Sequence, residues 1–176
     1  MLLNSEFSLR KNMTILVKNK HTLQIDEFRF KCCIGKNGST KNKKEGDKRT
    51  PKGIYKIENL YFRKDRLKKP LTLLKCVEIK RNMGWCNDIK HPKKYNKLFK
   101  IEKNVKHEKL KRKDYKYDLI IPIKYNFKNP VVGKGSCIFI HLTKDYRPTA
   151  GCVGLALNDF LIMLKVIKKN SKIKIF

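Results

Sequence analysis

The chain has 176 residues and a mass of 20.8 kDa; 40% of it is apolar, and 44 Lys+Arg stand against 15 Asp+Glu for a formal net charge of +29. That length suits one domain of ordinary size, and an apolar share that includes nine Phe and seven Tyr excludes wholesale disorder. No run approaches the roughly 18 uncharged apolar residues that a membrane-crossing helix requires, so no membrane span is expected.

Along the chain, residues 14–19 (TILVKN) alternate apolar and polar, which predicts a half-buried strand. A turn at 18–21 leads to a second short strand at 22–25, and FRFKCCI at 28–34 predicts a third. A long charged loop follows, GKNGSTKNKKEGDKRTPKG, of the size and composition that often carry function. Strand resumes at 53–58, and again around 72–79 inside the polar, Lys-rich stretch 60–115. YDLIIPIKY at 117–125 predicts a strand whose Pro122 suggests a sheet edge or a bulge. SCIFIHL at 136–142 predicts a buried strand. Residues 157–169 have helical periodicity, with Asn158 as N-cap and Leu157, Phe160, Leu161, Leu164 and Ile167 on the apolar face. SKIKIF at 171–176 alternates as a final strand. The sum is mostly β with one helix near the end. Residues 14–176 read as one domain, and 1–13 as an extension, with Met13 an alternative start.

The charge first suggests a nucleic-acid or polyanion binder. It consists of 36 Lys and only eight Arg, spread through the chain, beside 14 Asn. Lys, Asn and Ile share AT-rich codons, so genomic composition filling a solvated surface accounts for the mixture. No zinc-finger spacing, RNP-type segment or helix-turn-helix pattern supports nucleic-acid binding, which is kept as the rival of another class. It predicts salt-sensitive binding indifferent to Cys152→Ala. The six Cys (32, 33, 76, 86, 137, 152) include no C-x-x-C pair, and reduced core thiols are expected. No Cys/His pair has zinc-ligand spacing, and neither metal nor organic cofactor is expected. The first twenty residues contain no readable secretory signal.

The most informative segment is SCIFIHLTKDYRPTAGCVG, from Ser136 to Gly154. His141 ends an apolar strand, and Gly151-Cys152 follows a polar loop on the way to the helix. A nucleophilic Cys needs a base within hydrogen-bond reach and donors for an oxyanion. A strand-end His and a Cys after a Gly can supply these, with Gly151 permitting a positive φ. The alternative is a core Cys and a core His that never meet.

The run from His141 to Leu157 resembles the active-site signature of the L,D-transpeptidase catalytic domain (the YkuD or ErfK/YbiS/YcfS/YnhG family): a His, a short loop, then [S/T]-x-G-C and a hydrophobic residue. EGDKRTPKG, Glu45 to Gly53, is similar to the second family hallmark, about 95 residues earlier. GWCND at 84–88, Tyr95-Asn96, His107-Glu108 with Leu110, Tyr117-Asp118 and the GKGS before the catalytic strand resemble one branch of the family. The resemblance runs from about residue 14 to 165.

It implies a β-sandwich built around one Cys–His site, with one helix after the Cys. It also implies a peptidoglycan L,D-transpeptidase, with Cys152 as nucleophile, His141 as general base and acid, and Gly151 in the oxyanion region. Tetrapeptide stems are the implied partner, cleaved before the terminal D-Ala and joined in a 3→3 crosslink. Hydrolysis of the same bond would make the protein an L,D-carboxypeptidase. A monomer with no obligate protein partner is expected. That substrate lies in the periplasm or cell envelope, whereas the missing signal leaves a cytoplasmic site open. Two positions depart from the family pattern. Ala150 stands where many members have His, and Gly154 where many have Arg or Asn. Arg147 is either a cation for a stem carboxylate or a solvated loop charge. Tyr146 and Trp85 either line the substrate groove or pack. Thr149 either braces the elbow or orients the nucleophile. Asp145 reads as a turn residue. Asp47, Thr50, Pro51 and Gly53 read as the lock of the long loop.

Overall fold

The computed structural model describes residues 13–176; the extension expected at 1–13 lies, apart from Met13, outside the described residues. Fifteen strands and one helix follow in chain order. The first half holds β1 (Thr14–Val17), β2 (Thr22–Ile25), β3 (Phe28–Cys33), β4 (Ser39–Thr40), β5 (Thr50–Pro51), β6 (Gly53–Lys56), β7 (Leu60–Phe62) and β8 (Cys76–Glu78). The second half holds β9 (Met83–Cys86), β10 (Leu98–Lys100), β11 (His107–Lys109), β12 (Leu119–Pro122), β13 (Phe139–Leu142), β14 (Val153–Leu155), α1 (Leu157–Val166) and β15 (Lys172–Ile175). The chain is mostly β, as its sequence predicts.

Ten strands form one mixed sheet in the order β6-β15-β1-β2-β3-β14-β13-β12-β7-β8. The sheet curls back on itself. Beyond edge strand β6 the chain returns to β12, where the Glu58 N–H donates to the Pro122 carbonyl and the Lys124 N–H to the Lys56 carbonyl. β1, β2 and β15 bury alternate residues, the signature of strands with one solvated face. β12, β13 and β14 are buried throughout, because both of their faces are covered. One face joins the main core, with Ile121, Ile140, Leu142, Val153 and Leu155 meeting Ile15, Leu23, Ile173 and the α1 residues Phe160, Met163 and Leu164. The other face carries a second cluster, in which Phe139, Ile120 and Tyr117 meet Trp85 and Leu110. A three-stranded sheet, β10-β9-β11, covers that face.

Three local expectations are corrected. Pro122 is not on an edge strand, since β12 lies between β13 and β7. It is tolerated as the last residue of β12, where pairing with β7 covers only Leu119 and Ile120. Asn158 is not the N-cap. The helix starts at Leu157, as expected, but with Ala156 at the cap and no side-chain bond there; it ends at Val166 rather than at 169, and Leu157 and Leu161 are less buried than Met163 and Val166. Finally, Cys152 does not lead directly into the helix: β14 intervenes. Among the described residues no helix is long and apolar enough to cross a membrane.

Candidate active site

The parallel pair β13–β14 sets the site. Its register puts Ile140 against Val153 and His141 against Gly154, so Cys152, one residue before β14, comes level with Phe139. Side chains alternate faces along a strand. Phe139, His141 and Cys152 therefore leave the sheet on the face opposite Ile140 and Val153. The Phe139 N–H donates to Cys152 Sγ at 3.3 Å, and the thiol donates to the Cys137 carbonyl at 3.2 Å. His141 and Cys152 both line a cavity of about 480 Å³ that opens between this face and the long loop.

His141 is 7% exposed. Its Nδ1 lies 2.9 Å from the Leu142 carbonyl. A carbonyl only accepts, so Nδ1 carries the proton and Nε2 the lone pair. Burial drives the imidazole down to about 4; the Lys116 and Arg112 charges add to this and the Leu142 bond opposes it. The ring lies 5.7 Å from that of Tyr117, whose hydroxyl donates to Glu108. Burial also pushes the Cys152 thiol up to about 12, against the Phe139 N–H that favours the thiolate. At neutral pH Cys152 is thus a thiol and His141 a neutral imidazole; they share the cavity, while the thiol's hydrogen bond goes to the Cys137 carbonyl.

The elbow before β14 is held by Thr149. Its hydroxyl donates to the Cys152 carbonyl at 2.6 Å and accepts the Gly151 N–H at 3.0 Å. The Gly151 N–H is therefore committed within the elbow. Gly151 itself is required by shape, because its φ is +142° and a Cβ would stand 2.9 Å from the Arg49 carbonyl oxygen. The long loop is sewn to this elbow: the Lys36 N–H bonds the Thr149 carbonyl and the Thr149 N–H the Ile34 carbonyl. Within the loop, Thr50 is fully buried and accepts the Gly35 N–H at 2.9 Å, while Pro51 pairs with Thr40 and Gly53 opens β6. The Asp47 carboxylate accepts from Lys43 Nζ and from the Lys44 and Arg49 N–H groups. Partial burial works to raise this carboxyl, but those bonds prevail and hold it below the usual range.

The remaining candidates divide. Arg147 and Thr149 line the cavity, as do Asp145 and Ala150. Arg147 is exposed and pairs with Asp145, Nε to Oδ2 at 2.9 Å, and Asp145 makes its bonds within its own turn rather than to His141. Tyr146 and Trp85 do not line the cavity. Tyr146 packs under Lys31, whose Nζ is 4.6 Å from the ring centroid. Trp85 is 2% exposed, meets Phe139 edge-on, and donates its indole N–H to Asn96. Each makes a packing contact of its own, Tyr146 with a cation and Trp85 with an aromatic ring. Gly154 has no room for the family's Arg or Asn: a Cβ there would stand 2.6 Å from Cys33 Sγ.

Sequence reasoning assigned no role to Lys43, Glu45, Asn96 or Glu108. Asn96 bridges Trp85, the Cys137 N–H and the Tyr125 and Asn126 carbonyls. Glu45 accepts from Tyr95 and Ser136. The resembling segments EGDKRTPKG, GWCND, Tyr95-Asn96 and GKGS contained the sequence signal for this network, without showing that they meet. All six cysteines are free, and among the described residues no group of three or more His, Cys, Asp or Glu is arranged to hold a metal ion.

Cys152, just before β14, and His141, on the neighbouring parallel strand β13, thus lie on one face of a curled, mostly β sheet at a shared cavity. The chain matches the L,D-transpeptidase catalytic domain (YkuD) over residues 6–175 and belongs to that family. A solved structure, that of Bd1075 from Bdellovibrio bacteriovorus, is similar at 20% identity with a TM-score of 0.47, over 94% of this chain and 48% of that one. The chain thus spans about half the length of that protein. No curated protein matches it.

Proposed function

We propose that the protein is a peptidoglycan L,D-transpeptidase acting on tetrapeptide stems, with Cys152 as nucleophile and His141 as general base and then general acid. The observation that carries this reading is the pair itself, a buried thiol and a buried neutral imidazole on one face of β13–β14 at a shared cavity. A base must be unprotonated before it can take a proton, and His141 is. Cys152 is not a standing thiolate, so its proton moves to His141 Nε2 as the sulfur attacks the carbonyl of the stem's diamino acid. The Cys152 N–H serves as oxyanion donor in this reading. Collapse expels D-Ala, whose amine takes the proton from His141. The side-chain amine of a second stem then attacks the thioester, passes its proton to His141, and releases the thiol with a 3→3 crosslink. Water in place of that amine gives L,D-carboxypeptidase activity. These steps use neither metal nor organic cofactor.

The test is intact-protein mass spectrometry after incubation with a carbapenem or a tetrapeptide muropeptide. A covalent adduct on Cys152, absent in Cys152→Ala, is expected. A folded protein with an accessible thiol and no adduct overturns the reading. Product analysis then separates transfer from hydrolysis.

A further inference from the structure

Lys43 is the one lysine among the described residues that is buried, at 4% exposure, and it lines the cavity that holds Cys152. Burying an ammonium is unfavourable unless it is paired. Its Nζ donates to Asp47 Oδ1 at 2.6 Å and to the Lys44 carbonyl at 2.7 Å. An ammonium has three donors, and the third N–H has no protein partner among the described residues. The stem crosses Gly135, where a Cβ would stand 2.9 Å from Lys43 Cγ and 3.3 Å from Nζ, at a φ of +99°. Two residues further on, the Cys137 carbonyl accepts the Cys152 thiol's hydrogen bond. The loop thus delivers a buried cation to the same wall that holds the sulfur.

Other groups near the sulfur do not supply this charge. Glu108 on β11 and Cys33 on β3 oppose a thiolate, Lys43 favours it, and Tyr117 and Cys137 have raised pKa values of their own from burial. His141 on β13 is neutral. Of the other cations lining the cavity, Arg112 is taken by Glu108 and Asp114, Arg147 by Asp145, and Lys48 and Lys116 are exposed, where solvent screens them.

We infer that Lys43 is a positioning residue for the nucleophile: its buried ammonium supplies the positive potential that makes a Cys152 thiolate attainable, and Asp47 sets how much of that potential reaches the sulfur. The inference rests on Cys152 being the nucleophile, but its test does not use turnover. Iodoacetamide alkylation of Cys152, followed by peptide mass spectrometry against pH, reads the thiol's titration directly, since the thiolate is the reactive form.

Lys43→Met is expected to raise the midpoint by about one pH unit, slowing alkylation about tenfold below it. Lys43→Arg keeps the charge and is expected within about 0.3 unit of the wild type. Asp47→Asn removes the counter-charge and is expected to shift the midpoint the other way. A midpoint unmoved by Lys43→Met overturns the inference. So does Lys43→Arg moving with Lys43→Met, or Asp47→Asn moving upward, as general loosening of the loop would cause. Should Lys43→Met not fold, the opposite directions required of Lys43→Gln and Asp47→Asn decide alone. A carbapenem adduct on wild-type Cys152 alongside an unmoved midpoint removes the role of Lys43 and leaves the nucleophile standing.

Discussion

His141 shows how burial alone prepares a base. The ring stays neutral because the sheet, Tyr117 and the covering β-sheet exclude water from it, and one carbonyl selects which nitrogen is protonated. The same burial has a thermodynamic consequence. The imidazole titrates near its ordinary 6.5 in the unfolded chain and at about 4 in the folded one. Between those values the unfolded state binds more protons, so stability falls as pH drops from 6.5 toward 4 and is unaffected by this group above 6.5. The difference corresponds to about 3 kcal/mol once pH is below both values. Urea unfolding of the wild type at pH 7 and pH 4 is expected to show that loss on top of the carboxylate contribution. His141→Gln, which has no titrating group there, is expected to lose about 3 kcal/mol less over the same interval. Equal losses in the two proteins would show that burial leaves the His141 imidazole as easily protonated as in the unfolded chain.

At the scale of elements, the site depends on how closely β14 can approach its neighbours. β14 lies between β3 and β13, with Gly154 opposite both Cys33 and His141. A side chain at Gly154 would meet Cys33 Sγ at 2.6 Å and Thr143 Cβ at 3.3 Å. Gly154→Ala is therefore expected to destabilise by about 1–3 kcal/mol, as overpacking does. Cys33→Ala removes the contested atom, so the double variant is expected to lose clearly less than the two singles combined. Additive losses in denaturant unfolding would place the strain elsewhere. This crowding also explains what the sequence concealed. Three residues, VGL, with a glycine at the centre do not read as a strand, and β14 becomes one through pairing on both sides. The strands β1, β2 and β15 were legible because their solvated face imposes alternation. The covering sheet was not, because β10 and β11 are three residues long, half-buried and lysine-bearing, and are defined by pairing with Met83–Cys86. Cys152, His141 and Gly151 were legible because their chemistry demands those residue types in that order. Lys43 was not, since a lysine in a lysine-rich loop looks solvated until Gly135, far along the chain, is folded beneath it.

For the whole molecule, the +29 charge acts through where it is left unpaired. Near the cavity, the acids Glu108, Asp145 and Asp47 are each held by a basic side chain, and Glu45 accepts from the neutral Tyr95 and Ser136. Lys48 and Lys116 also line the cavity, are exposed, and make no ion pair among the described residues. An opening flanked by unpaired cations raises the local concentration of an anionic ligand, and salt with a Debye length of about 10 Å at 0.1 M screens that effect. A stem peptide ends in a carboxylate, so the proposed substrate is such a ligand. The double substitution Lys48→Gln, Lys116→Gln is expected to lower kcat/KM for D-Ala release several-fold at low ionic strength and to approach the wild type at high salt. Lys169→Gln with Lys172→Gln changes the net charge equally, on exposed residues flanking the turn into β15 that do not line the cavity. If position matters, that pair leaves the salt dependence unchanged. If both pairs shift the rate equally, the charge acts as a global field, and the lysines at the opening have no particular role in drawing the substrate in.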